Sequence, residues 1–467
     1  MRPSGRRPDR LNETDRMYVA DTIAAIATAP GVGAVGIIRV SGPGSVDVAR
    51  AVFAGRDPAV WRSHRLMRGD ILGAGGERVD DGLAVLMRAP HSYTGEDVLE
   101  LHCHGSPAAL QEVLRAALAA GARPAEPGEF TKRAFLNGKL DLAQAEAVMD
   151  LVRCRTPSAA VRAADQLSGS LSRHLAELRE RLIRLKAHLE VLIDFSDEDV
   201  DLDPDAVASE AEELRKLFAD LSSTYRSGRL YREGLRVAIT GRPNVGKSSI
   251  LNALARANRA IVTEIPGTTR DVLEEVIDIA GVPVVIADTA GLREGAERVE
   301  QIGIERARAA AAAADLVVVV LDRSVPYADP PYWPSAEQSV VIAVNKIDLP
   351  ARWEDLPEDR IAGAAAAVAI SAQTGLGIAD LESAIVGVAG AGARDSTPPL
   401  TNTRQRDAVD KVAASLAEAV DAARAGAPPD IVAVDVQIAL RHLAAVTGEI
   451  VNDDVLDLVF REFCMGK

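Results

Sequence analysis

Hydrophobic and polar positions change rhythm repeatedly along this 467-residue chain. From Asp21 to about Phe135 the pattern is mixed. Val35–Val40 and Leu83–Leu86 read as strands, Pro107–Ala120 as a helix, and Gly- and Pro-rich turns separate them. From Asp141 the chain becomes helical in period and rich in Ala and Leu. Leu171, Leu175, Leu178, Leu182, Leu185, Leu189 and Leu192 alternate spacings of four and three, which stacks them on one helical stripe. Such a stripe predicts a bundle core, with a coiled coil between chains as the rarer use. The acidic run Asp197–Asp205 reads as a solvated turn that ends it.

From about Gly234 short β-rich runs alternate with helical stretches: Leu235–Thr240, Val276–Ile279, Val282–Ala287, Leu316–Leu321, Val340–Val344 and Ala366–Ile370. That alternation is the signature of a mainly parallel sheet with crossover helices on both faces. The Ala/Gly stretch Gly387–Ala393 closes this part, and helical pattern resumes from Thr403 to the C-terminus. Each helical half is short for a bundle of its own, so the α/β domain is expected to be inserted into one discontinuous helical domain. The fold class expected is therefore multidomain, α/β plus all-α. Its parts are a disordered tail (1–18), an N-terminal α+β domain (19–136), a first helical part (137–233), the inserted α/β domain (234–390) and a second helical part (391–467).

Composition narrows the function. The chain is 48% hydrophobic and 26% charged, and no apolar run is long enough to cross a bilayer. A net charge of −15 argues against broad adhesion to nucleic acid, which needs Lys and Arg to neutralise phosphate, but leaves a local basic patch open. Only 3% of residues are aromatic, so stacking platforms for single strands are scarce. Cys103, Cys154 and Cys464 have neither metal-ligand spacing nor even number, which fits a reducing compartment. Near the N-terminus Arg2, Arg6, Arg7, Arg10 and Arg16 interleave with Asp9, Glu13 and Asp15, and no apolar segment follows. This reads as a tail rather than a targeting leader, and the chain as cytoplasmic.

The strongest chemistry lies in the α/β part. Gly241-Arg-Pro-Asn-Val-Gly246-Lys247-Ser248 fits a phosphate loop, following a strand and opening a helix. Its backbone N–H groups, from Asn244 and Val245 through Ser249, can curl around phosphate oxygens, helped by the positive end of the helix. Lys247 would reach the β- and γ-phosphates and Ser248 would bind Mg²⁺. Alone, this loop leaves ATP and GTP open. Asp288-Thr289-Ala290-Gly291 then follows a strand, placing Asp288 near the metal and the Gly291 amide near the γ-phosphate. Asn345-Lys346-Ile347-Asp348 follows another; the Asp348 carboxylate can accept both N1–H and the 2-amino group of guanine, donors adenine does not present together. Ser371-Ala372-Gln373, after the last strand, would contact the guanine oxygen through its backbone. Motifs in this order at strand ends specify a GTP-binding, GTP-hydrolysing protein.

Gly267-Thr268-Thr269-Arg270-Asp271 lies where a switch segment belongs, with Thr269 the better Mg²⁺ ligand and a catalytic candidate beside Lys247. Where many GTPases carry a water-orienting glutamine after Asp-x-x-Gly, this chain has Leu292. Another residue must orient the water; Arg293, Glu294, Glu297 and Glu300 are near in sequence, and spacing does not choose among them.

These motifs resemble those of the potassium-activated tRNA-modification GTPases of the MnmE (TrmE) family, and the resemblance runs over nearly the whole chain. Asn244, Gly267–Asp271, Leu292-Arg293 and Val299–Arg306 match its G domain. Ile37–Gly42, Tyr93–Glu100, Pro127–Phe130, Arg133–Asn137 and Lys139–Glu146 match its N-terminal part, and Phe463-Cys464-Met465-Gly466-Lys467 is its most distinctive tag. Met465 replaces a commoner aliphatic residue, and Ser106 stands where glycine is common.

The resemblance implies K⁺ held by Asn244, Thr263, Ile265 and Thr268, dimeric G domains meeting across their nucleotides, and Glu300 orienting the attacking water through a bridging water. It also implies a folate-binding N-terminal domain in which Arg39, Glu100, Lys139 and Lys467 contact 5-formyl- or 5,10-methylene-tetrahydrofolate. Cys464 becomes a candidate functional thiol. The implied activity is that of a homodimer acting with an FAD-dependent MnmG-like partner on tRNA. A (carboxymethyl)aminomethyl group would be added at C5 of the wobble uridine, its one-carbon unit coming from the folate.

Overall fold

The computed structural model describes residues 21–194, 204–257, 275–286, 308–335, 338–388, 397–461 and 463–467. The tail over 1–18 and the acidic turn up to residue 203 lie outside them, as do residues 389–396 between the α/β part and the second helical part. The chain divides into two compact units, one running up to Lys139 and rejoined by Leu456–Lys467, the other Leu140–Val455.

The first unit is built on β1 (Ile23–Ile26), β2 (Gly33–Ser41), β3 (Met67–Leu72), β4 (Arg78–Met87), β5 (Val98–Gly105) and β6 (Arg123–Pro124), arranged β3-β4-β5-β2-β1-β6. Every pairing is antiparallel except the short β1–β6 contact. Ile38, Val40, Leu99 and Leu101 join a core with Val48 and Val52 of α1 (Ser45–Val52) and Leu110 and Val113 of α2 (Pro107–Ala119). In α3 (Glu129–Leu136), Arg133 is buried and charged. Its guanidinium donates to Asp21 Oδ1 at 2.6 Å and Glu129 Oε1 at 2.8 Å, the pairing a buried charge requires.

Sequence pattern attaches Leu456–Lys467 to the helical stretch before it; in the structure this segment packs with the N-terminal unit. The backbone explains why. The Phe130 N–H donates to the Lys467 carbonyl at 3.2 Å, and buried Phe463 packs against Phe460 with ring centroids 5.2 Å apart. Gly466 sits at φ +88°, where a Cβ would collide with the Ile26 carbonyl. The terminal tag is therefore shaped to lie on β1.

The second unit opens with α4 (Leu142–Arg153), capped by a reciprocal Asp141–Gln144 box, and α5 (Pro157–Leu167), capped by Thr156. In α6 (Ser170–Asp194) all seven leucines of the predicted stripe are buried. They share one core with Leu214, Phe218 and Leu221 of α7 (Pro204–Ser223), a helix that the short α8 (Tyr225–Glu233) follows. The stripe thus builds a core within one chain.

The α/β part is a sheet in the order β12-β11-β10-β7-β9-β8. Its strands are β7 (Leu235–Thr240), β8 (Glu275–Ile279), β9 (Val282–Ile286), β10 (Leu316–Asp322), β11 (Ser339–Asn345) and β12 (Ala366–Ala369). All pairs are parallel except β8–β9. Alternate residues face opposite sides, as a strand requires. Val318 and Val320 pack with Ile250 and Leu254 of α9 (Lys247–Ala257), while Val317 and Val319 face the other core. The short α10 (Glu358–Ala362) precedes β12, and α11 (Ile378–Val388) adds Leu381 and Ile385 to the α9 side.

Beyond residue 396, α12 (Thr403–Arg424) and α13 (Pro429–Thr447) return to the first helical core through Val409, Leu416, Val436 and Leu443. Two ion pairs fasten helices of this unit, the first joining the returning segment to α4 and the second joining α8 to α4. Arg404 grips both oxygens of Glu146 at 2.7 and 2.8 Å, and Arg232 Nε meets Asp150 Oδ1 at 2.9 Å. Burial pushes the Asp150 carboxyl up to about 6; Arg232 offsets part of that, and nearby Glu146 adds to it. A carboxyl raised in the folded state keeps its proton over a window where the unfolded chain has released it. Its contribution to stability therefore declines as pH rises from about 4 to about 6. Asp150→Asn, which keeps an oxygen for Arg232, should gain stability relative to the parent over that window; melting temperatures taken from pH 4 to 7 check this.

Candidate functional site

Three of the guanine-nucleotide motifs, Gly241–Ser248, Asn345–Asp348 and Ser371–Gln373, follow the carboxyl ends of the parallel strands β7, β11 and β12, at the edge where ligands settle in open α/β sheets. The phosphate loop leaves β7 through Gly241, at φ +146°, where a Cβ would lie 2.5 Å from the Val320 carbonyl of β10. Only glycine allows that approach. Asn244 follows with φ +61°, a left-handed conformation that asparagine tolerates, and its residue is exposed. Gly246, at φ +101°, leaves no room for a side chain beside Asn345 Nδ2. The loop then enters α9 at Lys247, and Ser248 and Ser249 stand exposed in its first turn.

Lys247 Nζ donates to the Gly241 carbonyl at 2.9 Å and the Arg242 carbonyl at 2.8 Å, folding back over the loop it serves. Burial lowers its pKa, because the surroundings disfavour an uncompensated ammonium. A polyphosphate in this loop would supply the missing negative charge. The backbone cradle, the helix N-terminus and the lysine together fit a nucleotide polyphosphate.

Asn345 holds the rest of the site together. Buried at the end of β11, it donates from Nδ2 to the Val245 carbonyl at 2.8 Å, and its Oδ1 accepts the Ala372 N–H at 3.1 Å. One amide thus ties the phosphate loop to the Ser371-Ala372-Gln373 loop. Ser371 is buried, with its Oγ accepting the Thr374 N–H at 3.2 Å, while Gln373 is exposed. Lys346, at φ +65°, is held by Asp322 Oδ2 at 2.6 Å. Burial works against the charge on Asp322, but Lys346 and Ser324 outweigh it and keep its carboxyl below the ordinary value. Asp348 is exposed. Asp322, which anchors Lys346, escaped the sequence reading; its position at the end of β10 is the one cue the sequence offered.

Thr263, Ile265, Thr268, Thr269, Asp288, Thr289, Ala290, Gly291, Leu292 and Glu300 lie outside the described residues. The ends nearest them are described: β8 begins at Glu275 and β9 ends at Ile286.

The second group of residues lies in the N-terminal unit. Arg39 and Glu100 stand opposite each other across β2 and β5, and their side chains meet, Arg39 Nε to Glu100 Oε1 at 2.9 Å. The Arg39 guanidinium lies 5.3 Å from the Tyr93 ring centre and 5.8 Å from that of Phe130. His102 Nε2 is 3.4 Å from Glu100 Oε2. Lys139 Nζ donates to the Pro90 carbonyl at 3.0 Å, and the Phe130 N–H donates to the Lys467 carbonyl at 3.2 Å. Tyr93 and Phe130, absent from the sequence-based set, supply the flat faces of this cluster. Cys464 is exposed, its carbonyl accepting the Gly128 N–H at 3.5 Å. Among the described residues no His/Cys/Asp/Glu group could hold a metal ion.

Gly246→Ala puts a side chain against Asn345 in a backbone region that resists one, a strain of about 1–3 kcal/mol. Guanine-nucleotide affinity should fall about ten- to a hundredfold. Titration with a fluorescent GDP analogue reads this directly.

Comparison with known proteins agrees with this geometry. The family model described as the GTP-binding protein TrmE N-terminus matches residues 22–139, and the MnmE helical domain model matches residues 142–464. The tRNA modification GTPase MnmE of Heliobacterium modesticaldum is 45% identical over 467 residues, covering 96% of this chain and 100% of that protein. The protein of the same name from Chloroflexus aurantiacus is 45% identical over 456 residues, 96% of this chain and 100% of its own. That of Synechococcus elongatus is 42% identical over 464 residues, 96% and 99% respectively. The motifs, their placement at the sheet's carboxyl edge and this end-to-end similarity have one reading: the chain belongs to the MnmE family of tRNA modification GTPases.

Proposed function

We propose that this chain binds GTP on its phosphate loop, hydrolyses it, and thereby serves the modification of the wobble uridine of certain tRNAs. The observation that carries the reading is Asn345, which joins the phosphate loop to the base-recognition loop through one buried amide. The polyphosphate takes Lys247 and the amides from Asn244 to Ser249, while Asp348, Lys346 and the Ser371–Gln373 loop select guanine. Ser248 and Thr269 would hold Mg²⁺, with Asp288 close by, and the ion would offset the charge that gathers on the phosphates. Thr289, Ala290 and Gly291 complete the γ-phosphate side.

K⁺ would be held by Asn244, Thr263, Ile265 and Thr268, adding positive charge where the transition state develops negative charge. The exposed, positive-φ Asn244 at the lip of the phosphate loop supports this placement. Leu292 cannot orient water, and the family resemblance gives that role to Glu300. Two G domains, one from each subunit of a homodimer, enclose the nucleotides.

The Arg39–Glu100 pair, flanked by Tyr93 and Phe130, offers charge and flat apolar surface together, which fits a planar, hydrogen-bonding pterin ring. Lys139 and Lys467 would add contacts at its edge. When bound, 5-formyl- or 5,10-methylene-tetrahydrofolate supplies the one-carbon unit. An FAD-dependent, MnmG-like partner and the tRNA complete the assembly, in the cytoplasm, and Cys464 is held as a candidate thiol in the same chemistry. The domain limits that go with this reading are 19–136 for folate, 137–233 and 391–467 for the helical domain, and 234–390 for the G domain, save that Leu456–Lys467 packs with the N-terminal unit. Among the described residues no helix is long and apolar enough to cross a membrane.

A strain deprived of the chain should lose C5-modified wobble uridine from its total tRNA, as read by nucleoside profiling; an unchanged profile would contradict the reading. For K⁺, an electrostatic element at the phosphates is worth about 10²–10³ in rate. GTP turnover in KCl should therefore exceed that in NaCl by at least about tenfold, and equal rates would remove Asn244 from the ion's shell.

A further inference from the structure

The hairpin β8–β9 has a structural need that the sheet does not meet. It stands at the sheet's edge, and β7 pairs only with the part of β9 from Val284 to Ile286. The other end, where Ile279 faces Val282 around Ala280 and Gly281, extends past the last pair of β7. Ala280 at φ +51° and Gly281 at φ +87° give a tight turn of the kind that matches strand twist, and the Gly281 N–H donates to Asp278 Oδ1 at 2.7 Å. A rigid turn overhangs the sheet.

The helical part of the same unit holds that turn. Thr156, buried, donates its hydroxyl hydrogen to the Gly281 carbonyl at 3.1 Å, while the same oxygen accepts the Ala159 N–H at 3.2 Å as the cap of α5. With its donor and acceptor both engaged, the hydroxyl has one orientation. Ser158 sits so close that any Cβ on Gly281 would collide with its Oγ. A second grip comes from the C-cap of α8: a Cβ on Gly234 would fall 2.7 Å from Val285 Cγ2 and 3.0 Å from the Pro283 carbonyl. The hairpin is therefore held at its turn by α5 and along β9 by the residue that leads into β7.

In sequence this hairpin joins the two switch motifs. Gly267–Asp271 precedes β8, and Asp288–Gly291 follows β9. A paired ladder of five residues spans about 17 Å and moves as one body, so a shift at the turn reaches both strand ends.

We infer that Thr156 is a positioning residue for GTP hydrolysis: by clamping the Ala280–Gly281 turn, with Ser158 closing the space beside it, Thr156 fixes the hairpin from which both switch motifs depart. The inference rests on the GTPase reading of the site and adds to it a part of the helical domain distant in sequence from the nucleotide motifs.

The test measures GTP turnover and the affinity for a fluorescent GDP analogue on the full chain and its variants, below their melting temperatures. Thr156→Val removes the hydroxyl at nearly constant shape, and Thr156→Ser restores it. Gly281→Ala disturbs the clamp while leaving the cap of α5 untouched, and adding Ser158→Ala relieves part of the collision. Small displacements of reacting groups cost up to about a hundredfold in rate. Thr156→Val and Gly281→Ala should each slow turnover about ten- to a hundredfold, with GDP affinity changed less than about twofold. Thr156→Ser should match the parent, and the double variant should recover part of the loss. Parental turnover in both disruptive variants would overturn the clamp, as would affinity falling in step with turnover, the mark of a merely structural contact. If the parent chain itself fails to hydrolyse GTP, the GTPase reading falls first, a result distinct from either.

Discussion

A single buried side-chain amide organises the nucleotide end of this molecule. Asn345 completes β11 with its nitrogen on the Val245 carbonyl and its oxygen on the Ala372 N–H, so loops drawn from residues more than a hundred positions apart share one anchor. Without it, a buried carbonyl would be left unpaired at about 1–3 kcal/mol, and a half-buried N–H would lose its partner. The phosphate loop could not then keep its shape against the base-recognition loop. Around this anchor the other features take their places: glycines where β10 and Asn345 crowd the backbone, a lysine folded over the loop, and an ion pair from Asp322 that steadies Lys346.

The helical material does more than surround the α/β part. Its core closes only when α12 and α13 return to the leucine stripe of α6, and Glu146 is where the returning chain is fastened, gripped by Arg404 and accepting the Gln405 amide at 2.8 Å. From that same body α5 reaches the β8–β9 turn, and α8 runs into the first strand of the nucleotide sheet. A G domain set into such a frame receives its strand ends already oriented.

Sequence reasoning succeeded where period and burial coincide. The strands β7, β9, β10 and β11 are fully or nearly fully buried, so their apolar runs stood out, and the leucine stripe of α6 could face only a core. It passed over β1, β3 and β5. In β3 only Ile71 is fully buried, and in β5 Glu100, His102 and His104 interrupt the apolar pattern. The direction of β8 was also hidden, because a short strand reads alike whether parallel or antiparallel; its tight turn at Ala280–Gly281 held the clue. At the candidate site, motif order singled out Lys247, Asn345 and Asp348, but not that Asn345 would face inward to both loops, nor that Asp322 would hold Lys346. The terminal tag was recognised as a pattern, yet its reason is steric: Gly466 lies against the Ile26 carbonyl, and Phe463 fills space beside Gly128.

The whole reading stands on a loop of amides for a polyphosphate and an exposed aspartate that asks for guanine. Equilibrium titration of the purified full chain with GDP and with ADP examines both at once. A site built to pair with a base's hydrogen-bonding edge rejects one lacking it by about a thousandfold or more. Saturable binding of GDP with ADP weaker by that order is the expected result. Comparable affinity for the two nucleotides, or no binding of GDP at all, would contradict the account.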